Sequence, residues 1–444
     1  MVRSNSSQGR GDSIGLVDAV AIEVGLIIGG ALFALVGVGV SVAGAGVVLS
    51  FGIAIAIATL GLVPTAMLGA AFPTTCGHYR YPKRFVGGWV AFAAAWGLGV
   101  SMFTGGLPLY ALTAGEYLEA VLPVSPTASG LVVLTVFFVL NLFGIRPAAR
   151  AQQLMFLGLI GALGSFILFG IPAVEPTNLT PMVSNNALSI VAGAGLLYFA
   201  CLGANFVIDL GGDLRDATVT IPQSFMISIP LVFVIYVSVT VVSVGTIGVE
   251  AMAGETLATP AERFLSPEFQ TVFVFGGALF AVATSLNAAY ILVPRYARAL
   301  AADGIFPEVL GVTNERYGTA HWTLLGTYLL SAGALLAPLP FEEMGALLGL
   351  GGAFIVTVVM VAAVVVIRER PPDFDPSVVP VPMPLVLGMA VLAVPLNLLL
   401  IALLATQIRA LFVGWVVALG LGLLYYVLRM NYAAAAGISL EKEL

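Results

Sequence analysis

In the stretch GLIIGGALFALVG, residues 25–37, three glycines fall within six positions: Gly25, Gly29 and Gly30. A glycine inside a helix costs roughly 1 kcal/mol relative to alanine, so a cluster halfway along the first long apolar run points to a helix that breaks there. Such a break frees backbone N–H and C=O groups that lipid cannot satisfy, and it persists only against protein or a watery cavity. The amino-terminal end of the resumed half-helix then attracts an anionic group, and the freed carbonyls attract a cation. A second stretch, LLYFACLGANFVIDLGGDL at residues 196–214, offers another break around Cys201-Leu202-Gly203. Breaks in the first and sixth apolar segments are what two inverted five-helix repeats predict, with a binding site at their interface. The competing reading is close helix packing through small residues, which the Gly25/Gly29 spacing also fits.

Acids inside apolar segments are expensive, and a functional role is their default reading. Glu23 lies six residues before Gly29, about 9 Å along a helix. It can titrate a coupling proton, attract a cationic substrate, or form a gate pair with Arg295 or Arg298; the bland alternative is a structural ion pair or a water-facing residue. Asp209, near the inner end of the sixth segment, reads as a gate or solvated residue, and Asp18 as interfacial. Cys201 has no activating base nearby and reads as pocket lining. Tyr110, Tyr198 and Trp96 read as packing or interfacial aromatics. His78 and His321 fall in predicted loops and form no metal cluster, and two cysteines make no disulfide framework.

The elements that must carry these residues follow from composition. Of 444 residues, 60% are hydrophobic and 9% charged, against about 25% charged in soluble domains. Apolar runs long enough to cross a bilayer recur throughout. Twelve spans are expected near 14–40, 44–72, 86–120, 128–145, 150–171, 188–211, 222–248, 268–302, 320–337, 343–367, 382–404 and 409–428. The third and eighth are long, and residues 249–267 read as a loop with a short surface helix. Placing both termini inside puts fifteen of the 17 Lys and Arg residues on the inner side, leaving Arg263 and Arg409 outside. This is the positive-inside bias. The inner group Arg80, Lys83 and Arg84 also suits anionic lipid headgroups. The expectation is a multi-pass cell-membrane protein with both termini cytoplasmic: a tail at 1–13, one domain of twelve membrane spans at 14–428 and a short tail at 429–444. Continuous rather than alternating apolar runs exclude a β-barrel. A net charge of −6 argues against a nucleic-acid partner, and no phosphate-binding Gly-x-x-x-x-Gly-Lys-[Ser/Thr] loop occurs.

Four segments carry a resemblance to the amino acid–polyamine–organocation superfamily. VGLIIGGALFALVG resembles its first-helix signature, and AAFPTTCGHYRYPKRFVGGWVAFAAAWG its second helix, inner loop and third helix. LYFACLGANFVIDLGGDLRDATVTIP resembles helix six and its exit, and SLNAAYILVPRYARALAADGIFPEVLGVTNERYGTAHW helix eight and the loop after it. LNLFGIRPAARAQQ adds weaker support. The departures are Ala31 in the third signature position, Ala204 for a bulky aromatic, Asn205 for a carboxylate, and Gly212-Asp213 for a double glutamate.

The resemblance implies an all-α membrane fold: two inverted repeats (helices 1–5 and 6–10) with helices 1 and 6 broken, plus two C-terminal helices. It implies a secondary transporter, not an enzyme, that moves an amino acid, neutral or apolar favoured, or a related amine by alternating access. A substrate carboxylate would meet the N–H groups of Gly29, Gly30 and Ala31, and an ammonium the carbonyls near Ile27, Ile28, Phe199, Ala200 and Cys201. Gly203 and Asn205 complete the set, and Ala204, Asn205 and Ala289 leave room for a side chain. Backbone dipoles recognise such a zwitterion without burying a charged side chain. Ala281, Thr284 and Ser285 resemble a family sodium site, with the carbonyls of Gly25 and Ile28 opposite. Here the alternative is that both hydroxyls bond helix backbone. Some relatives carry a helix-five lysine in the sodium's place; the nearest positions here are Gly158 and Leu159. The coupling ion is thus sodium or a proton, or transport is uncoupled exchange of cationic amino acids or polyamines. A channel is the rival of a different class, though no selectivity-filter-like repeat occurs.

Overall fold

The structure, a computed structural model, describes residues 14–119, 123–183, 187–337 and 339–435; the side chains of Ala31, Ala34, Ile145, Arg146, Leu196, Phe199 and Glu342 are outside that description. The chain folds as helices α1 (Leu16–Ala43), α2 (Val47–Ala71), α3 (Gly77–Phe85), α4 (Gly88–Ser101), α5 (Leu107–Glu119), α6 (Pro126–Leu142) and α7 (Ile145–Gly170). Then come α8 (Ala187–Cys201), α9 (Ala217–Ile247), the short α10 (Val249–Met252) and α11 (Ala258–Ala261), α12 (Pro267–Phe273) and α13 (Phe280–Ala302). The last are α14 (His321–Leu336), α15 (Phe341–Glu369), α16 (Met383–Gln407) and α17 (Arg409–Ala435). Among the described residues, extended pairing is confined to two isolated bridges, Ile14 with Leu214 and Thr75 with Leu210.

Eight helical stretches among the described residues are long and apolar enough to cross a membrane, which makes this a multi-pass membrane protein. The expected spans beyond those eight include short helices: α6 has 17 residues, α8 has 15 and α14 has 16. α8 is short because its chain tightens into a 3₁₀ segment, Leu202–Asp209, which continues its path.

The long third and eighth segments each carry a π-helical turn, Met102–Gly106 between α4 and α5 and Val274–Leu279 between α12 and α13. Such bulges are single-turn insertions that often mark functional regions. Glycine is required in the first of them, because a Cβ on Gly105 would sit 2.6 Å from the Met344 carbonyl of α15. α15 is the most enclosed stretch, 78% buried, whereas α17 is 11% buried, so the last helix lies at the periphery. The segment between α9 and α12 folds over the carboxy-terminal half of α1, where the Gly254 N–H donates to the Gly37 carbonyl at 2.9 Å.

Candidate functional site

The first helix breaks at Gly29, with φ 28° and ψ −152° inside an otherwise helical run. That backbone favours glycine, and the surroundings demand it as well: a Cβ there would collide with the Ser285 hydroxyl of α13. Ser285 donates to the Gly25 carbonyl at 2.9 Å, one turn before the break, and Thr284 donates to the Ala281 carbonyl at 2.7 Å. Gly25 in turn admits α13 closely, since a Cβ on it would lie 2.9 Å from Thr284 Cβ. The oxygens of Gly25, Ala281, Thr284 and Ser285 therefore converge, paired hydroxyl to carbonyl, and Ile28 is buried in the same part of α1.

The second break takes the form of the change at Cys201 from α-helix to 3₁₀ helix. Gly203 lies directly on the backbone of α1: a Cβ there would collide with the Leu26 carbonyl and stand 3.1 Å from the Ile27 nitrogen. The two irregular segments thus meet backbone to backbone. Ala200 and Cys201 are buried beside them. Ile27, Ala58, Cys201 and Ala204 help line a small apolar hollow between α1, α2, α8 and α9. Asn205 turns toward α2, accepting from Thr65 Oγ1 at 2.9 Å and donating to the Leu202 carbonyl at 3.1 Å. Gly30 is partly exposed, and the side chains of Ala31 and Phe199 lie outside the description.

Several polar residues here were not singled out from the sequence. Tyr236 of α9 donates its hydroxyl to the Ile27 carbonyl at 2.8 Å, filling one of the acceptors proposed for an ammonium. The Gln152 amide donates to the Ala21 carbonyl of α1 at 3.2 Å and accepts from Asn287 at 2.9 Å; Asn287 accepts from Asn141 at 3.1 Å. This amide chain ties α6, α7 and α13 to the amino-terminal half of α1. The α7 side chain that reaches Gly25 is therefore Gln152, whereas Gly158 faces Phe280. Buried amides within apolar helices are the signal that marked them, since such groups must find partners in a neighbouring helix.

At the end of the 3₁₀ segment, Asp209 is fully buried rather than solvated. It accepts from the His78 N–H at 2.9 Å, faces His78 Nδ1 at 3.1 Å and accepts from the Tyr296 hydroxyl. His78, expected in a loop, is instead a buried residue of α3, its ring stacked on Phe206 at 4.7 Å. The expectation failed because GHYRYPKRF carries no apolar run, although the helix packs against α4, α15 and the 3₁₀ segment. His321 opens α14. Arg295 pairs with Asp213, not with Glu23, and Arg298 is exposed, so the expected gate pair does not form. Asp303 gathers Tyr79 at 2.7 Å, Lys83 at 3.0 Å and Arg80 at 3.2 Å. Burial first, then the Asp303 carboxylate, holds the Tyr79 phenol well above its ordinary range, so it remains a donor. Burial also pushes the Cys76 thiol up, with Asp209 adding to it. The amino end of α1 joins this latch through Ile14, which donates to the Asp213 carbonyl at 3.0 Å and accepts from Arg215 N–H at 3.1 Å. Asp18, expected at the interface, accepts from the Gly15 N–H at 2.8 Å and from Gln153 at 2.5 Å.

Glu23 is fully buried and faces Ser228 and Ser224 of α9. Neither carboxyl oxygen completes a hydrogen bond, nor does the Ser228 hydroxyl. Among the described residues no group of three metal-ligating side chains occurs.

A break in the first helix packed against an irregular segment, inside a multi-pass helical protein, is an arrangement that membrane transport proteins use. The profile of the Amino acid permease family matches residues 14–428, and the chain belongs to that family, within the amino acid–polyamine–organocation superfamily. The chain is 25% identical to the branched-chain amino acid permease of Bacillus subtilis, over 85% of this chain and 86% of that one. It is 29% identical to the large neutral amino acids transporter small subunit 2 of Mus musculus, over 81% and 71% of the two chains. It is 27% identical to the vacuolar cationic amino acid transporter 2 of Arabidopsis thaliana, over 80% and 60%.

Proposed function

We propose that the protein is a secondary transporter that carries a neutral, apolar amino acid across the cell membrane by alternating access, with both termini in the cytoplasm. The observation that carries this reading is the break at Gly29 together with the close packing of Gly203 on the α1 backbone at Leu26 and Ile27, just before that break. The amides of Gly29, Gly30 and Ala31 would take the carboxylate, and the carbonyls near Ile28, Phe199, Ala200 and Cys201 the ammonium. The lining of the small hollow beside Cys201 and Ala204 is apolar, a chemistry in keeping with the branched-chain and large-neutral relatives.

The twelve-span, inverted-repeat arrangement is part of the proposal, and helix pairing supports it. If α1, α2, α4–α5, α6 and α7 correspond to α8, α9, α12–α13, α14 and α15, contacts between the repeats should recur in exchanged form, and three pairs of them do. α1 packs on α9 and α8 on α2; α7 on α13 and α15 on α4; α6 on α13 and α14 on α5. The π turns obey the same relation, one lying against α15 and the other against α7. Counterflow in proteoliposomes, screened over the twenty amino acids and common polyamines, tests the function. Acceleration of uptake by trans neutral amino acid is expected, and unsaturable conductance would overturn it in favour of a channel.

A sodium-coupled version is favoured by the convergence of Gly25, Ala281, Thr284 and Ser285 oxygens, which together with Ile28 would suit a hard monovalent cation. Its test replaces sodium by choline in the wild type and in Thr284→Ala with Ser285→Ala. Uptake that survives sodium removal unchanged rules the sodium version out.

A further inference from the structure

We propose that Asn397 of α16 is a positioning residue for the substrate: through the Tyr198 hydroxyl it fixes the last turn of α8, whose carbonyls receive the substrate ammonium. The inference rests on the transporter reading and extends it to a helix outside the two proposed repeats. α16 is sparsely enclosed, 28% buried over its apolar stretch, and Leu398 and Leu399 are both more than half exposed. Asn397 is nevertheless fully buried. A carboxamide in such a helix needs a partner in another helix, and the Tyr198 hydroxyl of α8 donates to Asn397 Oδ1 at 3.2 Å.

The bond has a fixed direction. Asn397 Nδ2 donates to the Ala393 carbonyl of its own helix at 3.0 Å, and a carbonyl can only accept. The side-chain oxygen therefore faces Tyr198, and the tyrosine is the donor. Tyr198 is itself buried, so removing Asn397 leaves a buried hydroxyl without an acceptor, which is costlier than never having had the bond. α16 packs on α15 and α2, while α8 packs on α2 and α1. The hydrogen bond thus joins two helices that share α2 as a neighbour.

Position gives the bond its consequence. Tyr198 stands on the last turn of α8, just before Cys201, where the α-helix gives way to the 3₁₀ segment. Gly203, just past that change, lies on the α1 backbone at Leu26 and Ile27. The turn that carries the Phe199, Ala200 and Cys201 carbonyls is therefore gripped on both flanks, by Asn397 before it and by α1 after it. Hydrogen-bond geometry is poorer in a 3₁₀ helix than in an α-helix, so the direction of these carbonyls depends on what holds the turn. Carbonyls ordered before the ligand arrives bind it more tightly than carbonyls that must be ordered on binding. Asn397 supplies that order without touching the substrate.

The test is counterflow by the full chain in proteoliposomes with L-leucine as the probe, read as KM and maximal rate. Asn397→Leu keeps a side chain of similar size and removes the acceptor, and Tyr198→Phe removes the donor. Each is expected to raise KM about fivefold, the worth of one buried hydrogen bond, with the maximal rate within about twofold of wild type. That split marks lost binding rather than lost turnover. The double variant should be no worse than the worse single one, because both substitutions break the same bond. Unchanged KM in the single variants overturns the role of Asn397, and so does a double variant in which the two effects multiply. A fall in maximal rate with KM unchanged also overturns it, because Asn397 would then serve a gating step or the fold. Should Asn397→Leu fail to reach the membrane, Tyr198→Phe decides by the same KM criterion. Absence of leucine counterflow in the wild type overturns the neutral amino acid reading and this role with it; wild-type counterflow with unaltered variants overturns this role alone.

Discussion

At the residue scale, the break in α1 depends on one glycine held by two separate requirements. Gly29 has φ 28°, and any Cβ there would strike Ser285. A non-glycine in such backbone costs of order 1–3 kcal/mol, and the collision adds to it. Gly29→Ala is therefore expected to insert into the membrane yet bind neutral amino acids at least tenfold more weakly, about 1.4 kcal/mol, in a thermal-shift titration. Wild-type affinity in this variant would mean that the substrate does not use the Gly29 region. The glycine was legible in the sequence because a helix breaker at mid-span is costly and so demands a reason. Tyr236, Gln152 and Asn287 were not: each has its partner more than 130 positions away in the chain. A lone tyrosine or amide in an apolar run says that it needs a partner, not which one.

At the scale of elements, the broken segments are held at one end by a latch made of α3, the 3₁₀ segment, the amino end of α1 and α13. The sequence led to the expectation of a break in the sixth segment, where α8 tightens into the 3₁₀ segment, and read α3 as loop, because nine residues with three basic side chains lack the apolar run that identifies a span. What α3 buries is instead a set of partners: His78 and Tyr296 around Asp209, and Tyr79, Arg80 and Lys83 around Asp303. Hydrogen bonds to a charged group contribute about 1.5–3 kcal/mol each, so Asp209→Asn should loosen this end markedly. Cys76 reports on it, since its N–H bonds the Asp209 carbonyl at 3.0 Å and its thiol is buried. Burial and the Asp209 carboxylate keep that thiol protonated through the physiological range, and the thiol is the unreactive form. Alkylation of Cys76 by N-ethylmaleimide should be negligible in the wild type and at least tenfold faster in Asp209→Asn. Equal rates would show that Asp209 does not hold this end shut.

At the scale of the whole molecule, what the sequence revealed best was the distribution of charge, because topology is written in where lysine and arginine fall rather than in any single contact. Eight stretches satisfy a strict length and hydropathy requirement, and the proposed twelve-span topology adds helices such as the 17-residue α6, the 15-residue α8 and the 16-residue α14. Each of these is too short to be counted alone, yet each is flanked by loops whose charge assigns it a direction. If α8 failed to cross, every basic loop after it would change side and the inner count would fall from fifteen of the 17 basic residues to nine. Two exposed positions discriminate the arrangements. Val183, 57% exposed, precedes α8 in a segment expected outside, and Val309, 47% exposed, follows Asp303 in a segment expected inside. Both native cysteines are buried, so they leave a low background for thiol labelling. In intact cells, Val183→Cys should react with a membrane-impermeant maleimide and Val309→Cys only after permeabilisation. The opposite pattern would invert the topology, and reaction of both from outside would remove an odd number of spans between them.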